Sequence, residues 1–285
     1  MWLDRRVSGR QDLGDGVWSF QSPLWQTNSL LAVASGDVLL CDPAFTPDEI
    51  GVIADEAGRH AGGQSFLVVT HADYDHVCGI PYFADAHVVA GAGAAAKIRD
   101  GSAAAGLRSG GEEWGVAWPT GLRVDREVAA GELDLGSFRV AVIDAASHGR
   151  EGLGYVLLEQ GILLPGDNLS SITIPLLAGS LVRAREATER LLDALGRYPL
   201  RFVVPGHGPV LSPEQARQVG EADLRYLEQL EAAAREAARD RLSPGYAVVH
   251  AYEVEPPRPD TADFGIYGIH GGNARLALHE QGVEL

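Results

Sequence analysis

The chain has 285 residues, of which 46% are hydrophobic and 22% are charged, and its 39 acidic and 23 basic residues give a formal net charge of −16. A chain of this length forms one large domain or two small ones around a buried core, and its composition is that of an ordinary globular protein. The acidic balance argues against nucleic acid as a partner, because proteins that bind phosphate backbones cluster Lys and Arg, and it favours a small-molecule substrate.

Short apolar runs separated by turn residues predict strands in the first half of the chain. The run Ser65–Thr70 is rich in β-branched and aromatic residues, which predicts a buried strand that leads directly into His71. Pro47 suits the first turn of a helix that extends towards His60. The other strands predicted in this half are Val17–Phe20, Ser29–Ala34, Val38–Cys41 and His87–Ala90.

Residues 100–120 are the least regular part of the sequence, with repeated Gly, Ser and Ala and the two tryptophans Trp114 and Trp118. We predict a surface loop here, and a lid or a substrate-facing insertion is the alternative.

Strands and then helices are predicted in the second half. Ser212-Pro213 has the residues of a helix N-terminus and predicts a long helix to about Asp240, so that the chain has a helical part from about residue 212. Because no internal repeat or linker-like tract divides the chain, residues 1–285 are predicted to form a single domain. The remaining elements are strands at Leu133–Leu135, Phe138–Ile143, Gly154–Leu158, Ile162–Leu164 and Phe202–Pro205, and helices at Arg183–Leu195, from Ser243 and at Asn273–Gln281.

Membrane insertion and a disulfide framework are both disfavoured. No run of apolar residues approaches the roughly eighteen that a membrane helix needs, and the first residues lack the apolar stretch of a secretory signal. Cys41 and Cys78 are the only cysteines, which is too few for a fold built on disulfides. We therefore predict a cytoplasmic protein with no membrane partner.

The segment His71-Ala72-Asp73-Tyr74-Asp75-His76 places two histidines and two aspartates directly after a predicted buried strand. A loop at a strand end can turn several side chains towards one point, and imidazole and carboxylate groups are the ligands of Zn²⁺, Fe and Mn²⁺. The alternative is a polar turn in which an aspartate caps a helix. The segment therefore predicts a metal site.

Three candidate ligands at distant positions strengthen this prediction. His148, Asp167 and His207 each follow a predicted strand, and each has a glycine neighbour that lets the backbone turn and a ligand approach closely. Ligands that converge from several strand ends form a rigid metal site. The four segments together are a more specific signal than any one of them.

The order of these segments resembles the metallo-β-lactamase superfamily. The similarity extends over nearly the whole chain and includes Asp15-Gly16-Val17-Trp18 near the start and the strand end Leu40-Cys41-Asp42-Pro43. The resemblance implies an α/β fold, a four-layer αββα sandwich of two mixed β-sheets with outer helices and with the metals at one edge.

The resemblance also implies two divalent metal ions and assigns a role to each candidate ligand. In that family one ion is bound by histidines, a second by an aspartate and two histidines, and an aspartate bridges both. Carried over to this chain, the first ion would be bound by His71 and His148, the second by Asp75, His76 and His207, and Asp167 would bridge them.

Asp73 departs from the family pattern, which usually has a second histidine at this position. An aspartate is a shorter, harder and anionic ligand, so it favours Mn²⁺ or iron at the first site, whereas Zn²⁺ is the first expectation for the pair. The alternative is that Asp73 points elsewhere and leaves the first site weak. Flavodiiron proteins of the same superfamily resemble this chain in carrying a glutamate there.

The resemblance implies metal-dependent hydrolysis. Metal ions lower the pKa of bound water from 15.7 to about 7, so that hydroxide is available at neutral pH, and they polarise the scissile carbonyl or phosphoryl group. Asp75 is the candidate catalytic residue, since it would orient the hydroxide and pass a proton to the leaving group. We predict cleavage of an ester, thioester or lactone in a small molecule, while β-lactam and phosphodiester hydrolysis remain alternatives.

Two other functions stay open from the sequence. Asp73 motivates iron-dependent redox chemistry, as in the sulfur dioxygenases or flavodiiron enzymes of the superfamily, although nothing in the 285 residues resembles a flavodoxin-like domain. The second is that of a non-catalytic binding protein of the same superfamily. Tyr155, Tyr74 and His270 are weaker candidates for reaching the pocket, and the apolar segment Ser170–Leu181 indicates a hydrophobic substrate or a contact within a homodimer.

Overall fold

The computed structural model describes residues 9–60, 62–148, 151–177, 179–259 and 264–285. Within these residues the first sheet has seven strands that lie side by side in chain order. The first three pairs of neighbours are antiparallel, and the last three pairs are parallel. The strands are β1 (Gly9–Gly14), β2 (Val17–Gln21), β3 (Asn28–Ala34), β4 (Asp37–Cys41), β5 (Ser65–Val69), β6 (His87–Gly91) and β7 (Arg126–Val128).

The second sheet has five strands in the order β12-β11-β10-β9-β8, with a single parallel pair, β11 and β12. Its other neighbours are antiparallel. The strands are β8 (Gly131–Leu135), β9 (Phe138–Asp144), β10 (Leu153–Leu157), β11 (Ile162–Leu164) and β12 (Phe202–Val203).

Alternating side chains of the strands define the layers, because successive residues of a strand face opposite sides of its sheet. In β4, Leu39 lies in the core between the two sheets, and Leu40 lies in the core on the outer side of the first sheet together with Ile50 and Ile53 of the first helix. In β10, Tyr155 belongs to the core between the sheets and Val156 packs outward. The predicted αββα sandwich of two mixed sheets is therefore confirmed.

Eight α-helices surround or follow the sheets in the described residues. Helix α6 begins where the sequence predicts, since the Ser212 side chain accepts a hydrogen bond from the Gln215 amide and the Gln215 side chain accepts one from Ser212. The helices are α1 (Pro47–His60), α2 (Tyr74–Val77), α3 (Ala92–Arg99), α4 (Ser102–Trp114), α5 (Leu181–Arg197), α6 (Pro213–Arg239), α7 (Pro244–Tyr252) and α8 (Ile266–Glu280). None of these helices is long and apolar enough to cross a bilayer.

The predicted loop at residues 100–120 is wrong over most of its length, since helix α4 occupies Ser102–Trp114. The glycines of α4 allow neighbouring groups to pack closely against the helix. A Cβ on Gly110 would lie 2.7 Å from the Tyr74 ring, and one on Gly111 would lie 2.5 Å from the Val116 carbonyl oxygen. Local propensity penalises glycine in a helix, so the sequence pattern indicated a loop where tertiary contacts stabilise a helix.

The last helix is also misjudged from the sequence, because α8 begins at Ile266 and not at Asn273. Its early turns contain Gly268, Gly271 and Gly272, which lower its intrinsic helix propensity. The helix is stabilised by packing against α6 and α7, and the shared core includes Tyr226, Leu230, Ala247, Ile266 and Ala274. Strands β1 and β7 were not predicted.

Candidate metal centre

All four ligand-bearing segments follow strands, and the fold brings them together. His71 comes just after β5, and Asp75 and His76 lie in the short helix α2 that follows. The parallel pairing of β11 and β12 sets the loops after them side by side, where the Gly206 amide donates to the Gly166 carbonyl at 2.7 Å. That hydrogen bond fixes the neighbours Asp167 and His207 relative to each other. His148 arrives after β9.

Every one of the seven side chains predicted as a metal ligand belongs to a group whose ligand atoms lie within 4.8 Å of one another. The structure therefore brings the complete predicted set together. The three groups are His71, Asp73 and His148; His71, His76 and Asp167; and Asp75, His76 and His207.

Asp73, the aspartate that departs from the family pattern, belongs to the first of these groups. Asp73 Oδ2 lies 2.7 Å from His148 Nε2 and 3.7 Å from His71 Nε2. Asp73 thus does not point elsewhere, and its carboxylate lies between the two histidines that the resemblance assigns to the first ion.

Asp167 lies between the two halves of the cluster and divides its oxygens between them. Its Oδ2 is 3.5 Å from His71 Nε2, whereas its Oδ1 is 3.1 Å from His76 Nε2 and 3.5 Å from His207 Nε2. Asp75 joins the second half, with Oδ2 3.3 Å from His207 Nε2. Asp167 is therefore placed where its carboxylate could contact an ion in each half of the cluster.

Three imidazoles are oriented from outside the cluster through their Nδ1 atoms. His76 Nδ1 donates to Asp42 Oδ2 at 2.9 Å, and His207 Nδ1 donates to the Trp25 carbonyl at 3.0 Å. His71 Nδ1 lies 3.1 Å from Thr70 Oγ1. A proton on Nδ1 leaves the Nε2 lone pair free and directed into the cluster, which is how hydrogen bonds to the far side of the ring orient histidine ligands in metal sites.

The donor set fits a divalent cation. Among the described residues, His71 Nε2, His76 Nε2 and Asp167 Oδ1 are buried and have no well-aligned hydrogen-bond partner. Buried polar atoms without partners are costly, and here they face one another at the centre of the cluster. A cation placed among them would satisfy all three, and imidazole and carboxylate are suitable ligands for Zn²⁺, Mn²⁺ or iron.

The electrostatics of the cluster agree with this fit. Burial raises the pKa of the Asp167 carboxyl, but His76, His207 and His71 together hold that pKa well below its ordinary value. Burial lowers the pKa of His207, but Asp167 and Asp75 outweigh it and raise that pKa to about 9. The carboxylates thus attract positive charge to the cluster, which a bound cation would supply in place of protons.

Several residues that sequence reasoning did not identify complete the centre. Asp42, at the end of β4, adopts a left-handed φ of 43° and accepts hydrogen bonds from the Thr70 amide at 2.9 Å and from His76. The residue lies in the strand-end segment that resembles the superfamily, which was the available signal. Lys97, the only lysine, has Nζ 3.7 Å from Asp73 Oδ1 and forms an ion pair with Glu151.

Two weaker candidates lie away from the site. Tyr155 is fully buried in the core between the sheets, where its hydroxyl donates to the Val69 carbonyl at 2.9 Å. His270 is fully buried in α8 and contacts the Tyr226 hydroxyl at 2.9 Å. Tyr74, by contrast, lines the cavity over the cluster.

A cavity of about 460 Å³ opens over the cluster of candidate ligands. Asp73, Asp75, His148, Asp167 and His207 line its polar end. Its other walls are mainly apolar and include Trp25, Ile174, Leu176, Phe264 and Ile269. A small molecule could therefore place a polar reacting group against the cluster and an apolar group beyond it.

The comparisons with known proteins agree with this fold and site. The family model of the metallo-beta-lactamase superfamily matches residues 22–207, which include all seven candidate ligands. No curated protein matches the chain.

Among solved structures, the BLEG-1 B3 metallo-beta-lactamase is 20% identical, covers 70% of this chain and 94% of its own, and superposes with a TM-score of 0.56. A metallo-beta-lactamase from Pontibacter korlensis is 18% identical, with 77% and 98% covered and a TM-score of 0.55. The DIM-1 metallo-beta-lactamase is 14% identical, with 76% and 98% covered and a TM-score of 0.57. At these identities the likeness concerns the fold.

Proposed function

Because the chain belongs to the metallo-β-lactamase superfamily, whose members are mostly hydrolases, we propose that it hydrolyses an ester, thioester or lactone in a small molecule with the help of two divalent metal ions. The observation that carries the proposal is the convergence of seven imidazole and carboxylate groups, with inward-facing ligand atoms that lack other partners, at one end of a ligand-sized cavity.

Seven side chains of the cluster would bind the metal ions, and one of them, Asp75, would also take part in the reaction. When bound, divalent ions at such a site lower the pKa of water from 15.7 to about 7 and polarise the scissile carbonyl group. His71, Asp73 and His148 would hold the first ion. Asp75, His76 and His207 would hold the second ion, and Asp167, which lies between the two halves of the cluster, would contact both ions.

Asp75 is the proposed catalytic residue. It is buried, it lines the cavity, and its Oδ2 is fixed beside His207 Nε2 at 3.3 Å. A carboxylate in this position would accept a hydrogen bond from the attacking water, hold that water against the substrate and transfer the proton to the leaving group.

Metal removal and reconstitution test the proposal. We expect the purified protein to contain divalent metal, to lose hydrolysis of activated esters and thioesters after chelation, and to regain it with Zn²⁺, Mn²⁺ or Fe²⁺. Elemental analysis would report which ion is bound and how many. If the protein as isolated holds no metal, and no added ion changes either its melting temperature or its hydrolysis of esters, thioesters and lactones, the proposal is wrong.

Iron-dependent redox chemistry is the second candidate, because Asp73 faces His71 and His148 and gives the first site an extra hard, anionic ligand. Oxygen consumption by the iron-loaded protein with a persulfide substrate would support it. Hydrolysis that proceeds equally well without oxygen would favour the proposal above.

Replacing Lys97 by methionine should weaken metal binding at the first site. Lys97 contacts Asp73 Oδ1 from the side away from His148, while the nearly buried Glu151 holds the lysine in place. Methionine keeps most of the stem but frees Asp73, which is 37% exposed, to rotate. Loss of a residue that orients a metal ligand reduces metal affinity by roughly 10- to 100-fold. We therefore expect one of the two ions to dissociate from the variant at a lower chelator concentration than from the unaltered protein.

Arg99→Met is the matched control, because Arg99 lies in the same helix and its guanidinium pairs with Glu127 at the surface. It removes the same charge but touches no ligand, so its metal titration should match that of the unaltered protein. Equal metal affinities in the Lys97 and Arg99 variants would show that Lys97 does not position Asp73.

A further inference from the structure

The cavity over the cluster of candidate metal ligands has two chemically different ends. Its polar end includes the candidate ligands, whereas its apolar lining, called the apolar wall below, includes Trp25, Ala103, Ile174, Leu176, Phe264 and Ile269. Lys97 is the only Lys or Arg among its described lining residues, and its ammonium is already engaged by Glu151 and Asp73. A phosphate or carboxylate on the distal part of a substrate would therefore meet no unengaged cation there.

Two of the six residues of the apolar wall, Phe264 and Ile269, come from outside the part of the chain that the family model matches. Ile269 lies in α8 and Phe264 lies two residues before its start, both far beyond residue 207, and Phe264 lies edge-on to His207 with ring centroids 5.2 Å apart. The C-terminal part of the chain thus contacts the candidate ligand His207 directly. Part of the apolar lining therefore lies outside the residues that the family model matches, whereas all of the candidate ligands lie within them.

The wall is held in place by a buried amide. Asn273 of α8 is fully buried; its Oδ1 accepts from the Leu177 amide at 2.9 Å, and its Nδ2 donates to the Pro175 carbonyl at 2.6 Å. Nδ2 also donates to the Tyr226 hydroxyl at 3.1 Å. These bonds join the segment that contains Ile174 and Leu176 to α8, so the wall is preformed and binding does not have to order it.

From this geometry we propose that the substrate is an ester or thioester of an uncharged, apolar acyl chain. The acyl chain lies along the apolar wall, and its carbonyl group lies at the candidate metal centre. The proposal rests on the hydrolytic function proposed above and specifies its substrate class. Each methylene that leaves water for such a wall favours binding by about fourfold. Hydrolytic efficiency should therefore rise with acyl length until the cavity is filled.

Gly106 offers a way to fill the cavity without straining the fold. It lines the cavity from α4, and a Cβ built on it meets no heavy atom within 4 Å. Gly106→Leu should consequently extend a side chain into the space of the acyl group. Gly51 is the matched control, since it also lies in a helix, has no atom within 4 Å of a built Cβ and lies outside the cavity.

The experiment compares kcat/KM for acetyl, butanoyl, hexanoyl and octanoyl esters of one phenol with the metal-loaded protein. We expect kcat/KM to rise by at least tenfold from acetyl to octanoyl. In Gly106→Leu the octanoyl value should fall, through KM, by at least tenfold more than the acetyl value falls, and Gly51→Leu should behave like the unaltered protein.

A second measurement is independent of metal and of hydrolysis. 1-Octanol, which is apolar and unreactive, should raise the melting temperature of the metal-free protein and of Gly51→Leu but not of Gly106→Leu. If the esters are hydrolysed with no dependence on acyl length, or if Gly106→Leu lowers acetyl and octanoyl hydrolysis equally, the acyl-chain proposal is overturned and the hydrolase proposal stands. If no ester, thioester or lactone is hydrolysed while octanol still discriminates the two variants, the hydrolase proposal fails and the apolar ligand site stands.

Discussion

His76→Ala should abolish metal binding at the second site and lower kcat/KM for an activated ester by at least about 10³-fold. His76 belongs to two of the three ligand groups, and its Nε2 lies 3.1 Å from Asp167 Oδ1 and 3.5 Å from Asp75 Oδ2. Without the imidazole, these two carboxylates lose the group that lies between them. The measurements are the number of bound ions per chain and the kinetics of the reconstituted protein.

Two further variants separate this effect from a general loss of structure. Asp42→Asn keeps the side-chain shape and tolerates the left-handed backbone of that residue, but it weakens the acceptor that orients His76. It should therefore lose roughly 10- to 100-fold in metal affinity, less than His76→Ala loses. His279→Ala removes an exposed imidazole from the last turn of α8 and should change nothing. Full turnover by metal-loaded His76→Ala would refute the assigned role.

The sequence predicted the convergence of the ligands because their positions follow a simple rule. His71, His148, Asp167 and His207 each come a few residues after an apolar run, and residues at strand ends are brought together when strands assemble into sheets. The layered fold was expected from the resemblance to the superfamily, and in the structure the neighbours Leu39 and Leu40 of β4 lie in the cores on opposite sides of the first sheet.

The outer contacts of the centre could not be predicted in the same way. Lys97 and Glu151 are 54 positions apart in the chain, and neither lies in a recognisable motif. Trp25 orients His207 through its backbone carbonyl, for which a side chain gives no signal, and it does so from a left-handed φ of 53°. Such contacts depend on the relative placement of distant loops, which local patterns do not encode.

The apolar wall illustrates the same limit. The sequence indicated that Ser170–Leu181 favours a hydrophobic substrate or a dimer contact, and it could not choose between them. In the structure Ile174 faces the cavity and is held by α8 through the neighbouring backbone. Helix α8 itself was predicted to start later, at Asn273, so the contribution of Phe264 and Ile269 to the cavity was not foreseen.

Gly206→Ala should disrupt the metal centre although it leaves every candidate ligand in the chain. A Cβ on Gly206 would lie 2.3 Å from Asp167 Oδ1 and 2.9 Å from His76 Cε1. The backbone cannot withdraw easily, because the Gly206 amide donates to Gly166 and its carbonyl accepts from the Asn28 amide, both at 2.7 Å. Asp167 must therefore move, and it is the carboxylate proposed to contact both ions.

We expect Gly206→Ala to lose both metal ions, to lower kcat/KM by at least about 10²-fold and to destabilise the fold by about 1–3 kcal/mol through overpacking. Gly51→Ala is the control, since its added methyl group meets no atom within 4 Å and lies in a helix, where alanine stabilises by about 0.5–1 kcal/mol. Circular dichroism would verify that the Gly206 variant remains folded. A folded variant with two bound ions and unchanged kinetics would mean that Asp167 can leave its position without consequence, which is incompatible with a bridging role for its carboxylate.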